Sequence, residues 1–423
     1  MKTNKTLLSC AVAFGLASVS TFTQAAGFQL AEYSATGLGR AYAGEAAMAD
    51  NASAQWRNPA MLTYLEGTQV SAGAIYVNPN VDVEGTVNHA QLGKTHASSN
   101  DFAHDAVIPN FYLSHQLNEQ MALGFALGTN YGMETDLGTE FAASHFGNQA
   151  SVISKEANLN IAYQILPQLS IGGGVRYVMG EGHFGATAPA KNALKLPQGT
   201  TLKYMEGEDN SWGWQVGSAW QINQNHRVGF AYKSEVVMDF EGHAEGVSYG
   251  SYKPGMMSVT LPATAELAGF HQLNDQWAIH ASINWTDWSS FKELTAVFPE
   301  KSDLIKSENW EDNYRFALGT TYQYDAKLAL RAGVAYDTSA VDDKNRTATI
   351  PETDRTWVSV GGSYVATPQL TLDAGFTYIF AKDATINEPR DASDQTAAAI
   401  GGAFTGNVSG NVWLIGVQAN YRF

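Results

Sequence analysis

A two-residue alternation of apolar and polar side chains runs through most of the chain after residue 67, and it constrains the fold more than any other feature. In the segment 277–286, the odd-numbered positions read Trp, Ile, Ala, Ile, Trp, and the even-numbered positions are small or polar. The segments 328–337 and 370–378 divide in the same way. This period is that of a β-strand with two unlike faces. A soluble β-sandwich would also alternate, but aromatic residues at the ends of the apolar faces favour a lipid-facing band.

The connections between the alternating segments are of two kinds. Six are short polar turns, at 118–120, 167–168, 223–225, 274–276, 325–327 and 367–369. Longer connections rich in Gly, Asp, Ser and Lys alternate with them, near 84–105, 133–150, 186–200, 243–256, 298–310, 338–354 and 382–410. Short turns opposite long loops are typical of outer-membrane barrels. Six hairpins and one strand at each end (about 68–83 and 411–423) predict an all-β, antiparallel transmembrane barrel of fourteen strands.

The last strand is expected to close this barrel. Gly416, Val417, Ala419, Tyr421 and Phe423 form an apolar stripe that ends on the C-terminal residue. An ordinary open edge strand cannot persist in lipid, so this strand should pair with the first one. An alternating strand that ends in an aromatic residue is what barrel-assembly machinery is expected to recognise. Phe423 is therefore the predicted contact with that partner.

The first 25 residues have the form of a secretory signal peptide, with two lysines, an apolar stretch at 7–19 and a cleavage site that ends at Ala25. The sequence Leu-Leu-Ser-Cys that ends at Cys10 superficially resembles a lipidation box, but it precedes most of the apolar stretch, which disfavours a lipoprotein. Cys10 is the one cysteine, so the mature chain should contain no disulfide. No later segment approaches 18 uninterrupted apolar residues, and no membrane-spanning helix is predicted.

Residues 26–66 lack the alternation and are dense in glycine and alanine. A barrel of about fourteen strands is wide enough to leave an aqueous hole unless something fills it. We therefore predict that residues 26–66 form an N-terminal hatch, or plug, inside the lumen, and that residues 67–423 form the barrel. The alternative is a tail in the periplasm.

Composition and motifs exclude several other functions. Forty-one acidic and 25 basic residues give a net charge of −16, which argues against nucleic acid as a partner. The ten histidines lack metal-ligand spacing, and no metal or cofactor is predicted. Residues 246–250 match the G-x-S-x-G pattern of serine hydrolases, but that motif needs a strand–turn–helix context. We therefore expect no enzyme. A general diffusion porin is a further alternative, which would keep its lumen open.

Short motifs occur in the same order along the whole mature chain. In the N-terminal segment they are Ala26–Leu30, Gly37–Tyr42, Gly44-Glu45 and Asn58-Pro59-Ala60. In the barrel they are Thr129–Gly132, Tyr232–Val236, Asp275–His280 and Tyr314–Tyr322. Together they resemble the long-chain fatty acid transporter family of Gram-negative outer membranes. The resemblance implies a monomeric barrel with a hatch, surrounded by outer-membrane lipid and lipopolysaccharide.

The resemblance also implies how such a barrel would work. A hydrophobic ligand would be captured at extracellular loops, pass to an internal site and leave sideways through a gap at a kinked third strand. The predicted third strand, 121–133, has small residues on its lumen face, and glycine marks bulges or close backbone approach. The residues assigned to lateral opening are Gly124, Gly128, Thr129, Asn130 and Gly132. On the residues alone, the alternative is that small side chains make room for the hatch.

Gating and ligand contact are assigned to Phe28 and to the turn Asn58-Pro59-Ala60. Proline fixes its φ angle and lacks an amide donor, which suits a rigid turn. A purely structural turn is the alternative.

The head group of the ligand is the least determined part of the prediction. The resemblance places two basic positions for a carboxylate at Glu311 and near Ala186, and neither residue is basic. Arg176, Arg315 and Arg331 are the candidate cations instead. The ligand is then either a long-chain fatty acid or an uncharged aromatic hydrocarbon, because relatives in this family import aromatic hydrocarbons.

Overall fold

The computed structural model describes residues 27–423, so the predicted signal peptide lies outside the described residues. The strands are β1 (Thr68–His89), β2 (Gly93–Ser99), β3 (Ala106–Gln116), β4 (Met121–Gly128), β5 (Gly132–Asp136), β6 (Gln149–Leu166), β7 (Leu169–Thr187), β8 (Thr201–Asn223), β9 (His226–Lys233), β10 (Val236–Gly246), β11 (Gly250–Leu261), β12 (Thr264–Gln272), β13 (Trp277–Thr286), β14 (Glu293–Val297), β15 (Ser302–Ser307), β16 (Asn313–Gln323), β17 (Leu328–Asp337), β18 (Arg355–Val365), β19 (Leu370–Ala381), β20 (Ala384–Glu388) and β21 (Ala403–Arg422). The α-helices are α1 (Ala35–Leu38), α2 (Ala54–Arg57) and α3 (Gln395–Gly401), and short 3₁₀ helices lie at Glu45–Ala47, Pro59–Tyr64, Trp288–Ser290 and Ala392–Asp394. Within residues 27–423, no helix is both long and apolar enough to cross a membrane.

These segments form one closed antiparallel barrel of fourteen strands, which confirms the predicted fold and strand number. Strand β2 pairs with the far end of β1, beyond the part of β1 that pairs with β3. Six barrel strands each consist of two segments: β4 with β5, β9 with β10, β11 with β12, β13 with β14, β15 with β16, and β19 with β20. Strands β1 and β21 pair from Gln69 opposite Arg422 to Asn88 opposite Ala403. The first and last strands therefore close the barrel as expected.

The apolar face of the strands points out of the barrel. In β17, Leu330, Val334 and Tyr336 are 44%, 49% and 43% exposed, whereas Arg331 and Asp337 are buried. A sandwich would bury its apolar face. The alternation thus comes from an outer surface that faces lipid and an inner surface that faces the lumen.

All six predicted short turns separate consecutive strands, but several predicted loops are too long. Strand β1 continues to His89 instead of ending near residue 83, and β21 begins at Ala403 instead of near 411. The region 243–256 is strand on both sides of a short connection, and 382–410 contains β20 and α3. Beyond the bilayer, strands still pair through their backbones but no lipid selects apolar side chains, so polar composition there does not indicate a loop.

The third barrel strand is interrupted between β4 and β5, at residues 129–131. Strand β4 pairs with β3 up to Phe111 opposite Leu127, whereas β5 pairs with β6 on its other side. An isolated bridge between Ala103 and Thr135 joins the two sides again. Between these two pairs the wall has a gap in its hydrogen-bond ladder, which we call the lateral window.

The segment from Gly27 to the start of β1 lies inside the barrel, and we call it the hatch. Its backbone lies directly on glycines of the wall. A Cβ atom built on Gly172 would lie 2.4 Å from the Ala60 nitrogen, and one built on Gly229 would lie 1.9 Å from the Ala46 oxygen. No side chain fits such spaces, so these glycines are required for the hatch to seat.

A valine at position 172 should unseat the hatch. The added atoms would meet backbone of the Pro59-Ala60 turn, and such overpacking costs about 1–3 kcal/mol. We expect Gly172→Val to raise the ion conductance of the purified protein in planar bilayers and the sensitivity of cells to large antibiotics.

Gly173→Val is the matched control, because a Cβ at the next residue has its nearest neighbour, the Gln215 oxygen, at 3.5 Å. Equal conductance of the two variants would contradict the seating role of Gly172.

Candidate ligand site at the interrupted third strand

The N-terminal end of the hatch adds a short strand to the interruption. The Leu30 N–H donates to the Asn130 oxygen at 2.7 Å, and the Gly132 N–H donates to the Phe28 oxygen at 2.8 Å. The residues between them form an antiparallel bridge. Three residues predicted for gating or lateral opening, Phe28, Asn130 and Gly132, thus lie together. This pairing could not be predicted from the sequence, because the hatch lacks alternation.

Gly27 fixes the entry of this short strand. Its φ angle is +63°, and a Cβ atom there would lie 2.5 Å from the Trp288 ring, so no other residue fits. Its N–H donates to the carboxylate of Glu352, in the loop between β17 and β18. Burial raises the pKa of Glu352 to about 7, against the opposing effect of the Arg355 guanidinium. The hatch is therefore tied to an outer loop as well as to the third strand.

Phe28 is almost fully buried in a cage of aromatic rings. Its ring centroid lies 4.5 Å from that of Trp288, 5.6 Å from Phe291, 6.0 Å from Trp310 and 6.2 Å from Tyr131. Edge-to-face and tilted contacts of this kind add to the stabilisation from apolar burial. A ligand that displaced Phe28 would find a preformed apolar site.

A second apolar space opens towards the extracellular loops. It is a cleft of about 100 Å³, lined almost entirely by apolar atoms. Phe184, Met257 and Leu294 line it and also pack against the buried cluster that contains Phe28. A continuous apolar surface therefore leads from the loops to the aromatic cage.

The turn Asn58-Pro59-Ala60 has the contacts of a structural element. The Asn58 side chain accepts from the Ala60 N–H at 3.0 Å and donates to the Ala46 and Ser218 oxygens at 2.6 and 3.0 Å. Pro59 begins a 3₁₀ helix. The turn therefore anchors the hatch to the wall at β8. Phe28 instead packs on Trp288, Phe291 and Trp310, in the connections that follow β13 and β15. Gating by this turn stays a prediction.

The glycines on the lumen face of β4 make room for α2. A Cβ atom on Gly124 would lie 2.1 Å from the Gln55 side-chain oxygen, and one on Gly128 would lie 3.0 Å from the Trp56 ring. The interruption begins one residue later, at the buried Thr129. The small residues of β4 thus make room for the hatch, and the third strand is also interrupted. The two alternatives occur together.

Each of the three predicted head-group cations is bound to a buried carboxylate of the wall. The distances are 2.8 Å from Arg176 Nη2 to Glu156 Oε2, 3.1 Å from Arg315 Nε to Asp337 Oδ1 and 3.2 Å from Arg331 Nη1 to Asp373 Oδ1. The arginines lie on β7, β16 and β17, so the fold does not gather them at one point. Breaking such a buried pair by removing one partner costs about 3–5 kcal/mol. Their role in binding a ligand is therefore disfavoured.

Lys233, at the end of β9, is a cation that the prediction omitted. Its Nζ lies 3.2 Å from Asn130 Oδ1, so it reaches the interruption directly. The residue belongs to the motif Tyr232–Val236, and the alternation places it on the lumen face. The motif and the lumen-facing position were both visible in the sequence. Neither revealed which strand would face Lys233.

The hydrolase-like motif lies in the connection between β10 and β11. Its two glycines, Gly246 and Gly250, have φ angles of +108° and +85°. The motif joins two strands, in contrast to the strand-to-helix turn of hydrolases. In the part of the chain that the structure describes, no group of three or more side chains has the arrangement of a metal site.

Comparison with known proteins decides the family. The family model described as "Outer membrane protein transport protein (OMPP1/FadL/TodX)" matches residues 16–423. The chain belongs to this family. Among relatives of the OMPP1/FadL/TodX family, the "Long-chain fatty acid transport protein" of Escherichia coli K12 is 32% identical over 460 residues, with 99% of each chain covered. The "47 kDa outer membrane protein" of Pasteurella multocida is 35% identical over 448 residues, which cover 100% of this chain and 99% of that protein.

Solved structures of OMPP1/FadL/TodX proteins share the fold. A Pseudomonas aeruginosa FadL homologue has a TM-score of 0.85 and 20% identity, covering 94% of this chain and 100% of its own. The Pseudomonas putida toluene transporter TodX has a TM-score of 0.70 and 18% identity, with the same coverage. The protein is thus an outer-membrane transporter of hydrophobic compounds, as the family is.

The Glu156–Arg176 pair gives a test of the polar interior. Arg176→Met should destabilise the barrel by about 3–5 kcal/mol, because it leaves a buried carboxylate unpaired. Adding Glu156→Gln to the same chain should restore most of this loss, since the carboxylate charge is then absent. Urea unfolding followed by tryptophan fluorescence measures both. A double variant as unstable as the single one would contradict the pairing argument.

Proposed function

We propose that this protein carries long-chain fatty acids across the outer membrane. The ligand is captured at the apolar space beneath the extracellular loops, moves to the aromatic cage around Phe28 and leaves through the lateral window into the bilayer. The full-length relatives named for long-chain fatty acid transport support the substrate. The observation that carries the route is the short N-terminal strand, which covers the window through a few hydrogen bonds.

The energetics favour a route through the wall. Removing a chain of about fifteen methylenes from water is favourable by about 12 kcal/mol, at about 0.8 kcal/mol for each methylene. A water-filled pore would forfeit that gain, whereas apolar surfaces that end in lipid keep it. A hatch seated on wall glycines also argues against a general diffusion porin.

The N-terminal strand is suited to act as the movable part. Phe28 occupies the aromatic cage, and its backbone oxygen is bonded to Gly132 in the same segment. A ligand that enters the cage competes with the Phe28 ring. Displacement of that ring pulls on the strand that covers the window, so ligand binding and opening are coupled.

Transport of uncharged aromatic hydrocarbons is the second candidate. One observation favours it, because Arg176, Arg315 and Arg331 are all paired with carboxylates and offer no free charge to a fatty acid. The cage of aromatic rings would also suit a planar ligand. Competition between oleate and toluene for uptake by cells that express the protein distinguishes the two candidates.

Fixing the N-terminal strand to the third strand should stop transport. Gln29 and Tyr131 form the antiparallel bridge between them, so cysteines at both positions lie within reach of a disulfide. The mature chain contains no other cysteine. We expect Gln29→Cys/Tyr131→Cys to take up oleate under reducing conditions and to lose uptake when oxidised, with labelled fatty acid as the readout.

Cysteines at Ala72 and Ala419 are the matched control, because this pair joins β1 to β21, and neither strand pairs with β4, with β5 or with the N-terminal strand. Oxidation of the control should leave uptake unchanged. Full uptake by the oxidised Gln29–Tyr131 pair would rule out movement of the N-terminal strand.

A further inference from the structure

Lys233 lies in a polar environment that leaves part of its bonding capacity free. The side chain is 5% exposed, donates to Asn130 Oδ1 at 3.2 Å and lies 4.3 Å from the centre of the Trp56 ring. Among residues 27–423, no carboxylate oxygen lies within 4.0 Å of its nitrogen, and Asn130 is its one hydrogen-bond acceptor. An ammonium group has three donors, so Lys233 is a buried cation that is only partly satisfied.

The neighbouring carboxylate, that of Glu156, does not accept hydrogen bonds from the free donors of Lys233. Glu156 receives Arg176 Nε and Nη2 at 2.9 and 2.8 Å, and it also accepts from Asn130 Nδ2 at 2.5 Å. Arg176 thus binds this carboxylate directly, whereas Lys233 is joined to it only through Asn130. The other nearby cation, Arg57, is bound to Glu266 at 3.1 Å. Of these three cations, Lys233 is therefore the one whose nitrogen has no carboxylate oxygen within 4.0 Å in the described residues.

The partner of Lys233 belongs to the interruption itself. Asn130 is one of the three residues between β4 and β5, and its backbone oxygen holds the N-terminal strand through Leu30. Any rearrangement that moves Asn130 away removes the hydrogen bond of Lys233. A buried ammonium without a partner is costly, so opening needs a replacement acceptor.

We propose that Lys233 binds the carboxylate of the ligand at the lateral window and exchanges Asn130 for it. This deepens the proposed function and depends on it. The head group is held at the interruption while the acyl chain lies on the apolar surfaces beside it. The exchange makes opening of the window depend on an anionic head group, which assigns the substrate class to aliphatic acids and excludes uncharged hydrocarbons as preferred ligands.

The test compares an acid with the alcohol of the same chain length. Hexadecanoate and hexadecanol are offered to the full-length protein in proteoliposomes, and binding and uptake are measured for the wild type, Lys233→Met and Lys233→Arg. A hydrogen bond to a charged group is worth about 1.5–3 kcal/mol, so Lys233→Met should weaken hexadecanoate binding about ten-fold to a hundred-fold. Hexadecanol binding should not change, and Lys233→Arg should retain the preference for the acid.

Two further variants keep the test decisive. Lys155→Met makes the same substitution at an exposed lysine on the outer face of β6 and should behave as the wild type. Lys233→Gln keeps a donor for Asn130 without the charge, and it replaces Lys233→Met if heat-modified gel mobility shows that the methionine variant does not fold.

The outcomes separate the two proposals. An acid-to-alcohol ratio that is the same in the wild type, Lys233→Met and Lys233→Gln overturns the role of Lys233 and leaves fatty acid transport standing. A wild type that takes up neither compound overturns the proposed function itself. Loss of hexadecanoate binding alone, with arginine restoring it, supports the exchange.

Discussion

Inside a bilayer, each backbone N–H and C=O must find a partner within the protein, and this requirement governs the rest of the structure. The barrel meets it by closing β1 on β21. The interruption at residues 129–131 would violate it, but the N-terminal segment supplies partners from the lumen through Phe28 and Leu30. The hydrogen bonds that make the interruption tolerable are therefore the same ones that the proposed lateral route requires to break. In the proposed route, one short strand serves both stability and transport.

The hatch is held by close packing and by its own charges. Arg40 lies 2.6 Å from Glu45 and 2.7 Å from Asp50, all within the hatch. Burial tends to raise the pKa of Asp50, but the Arg40 guanidinium outweighs it and lowers that pKa to about 2. Arg40 thus neutralises acids of the hatch itself, whereas the wall supplies Glu266 as the partner of Arg57 and glycines that admit the hatch backbone. The proposed moving part, the N-terminal strand, is joined to the third strand by the backbone bonds of Phe28 and Leu30.

The barrel could be predicted from the sequence because its outer face contacts lipid. Alternation and turn positions identified fourteen strands, because outward side chains are selected by the bilayer at each second residue. The candidate ligand site was harder to predict from the sequence. Phe28 and Asn130 were recognised, but their pairing was not, since it joins an irregular segment to an interrupted strand. The arginines were chosen by type, although charge alone does not reveal that Asp337 or Asp373 already binds them. Lys233 was not predicted, because its contact with Asn130 depends on what lies across the lumen.

The hatch is seated by contacts with strands far along the chain. The Ala35 N–H donates to the Gln418 side chain, 383 residues away, and the Thr36 hydroxyl donates to Asp373. The hatch thus depends for its place on β19 and β21, which follow it by more than 300 residues. Contacts of such long sequence separation form late in folding. A barrel in which β21 has not yet closed on β1 therefore lacks part of the contacts that seat the hatch.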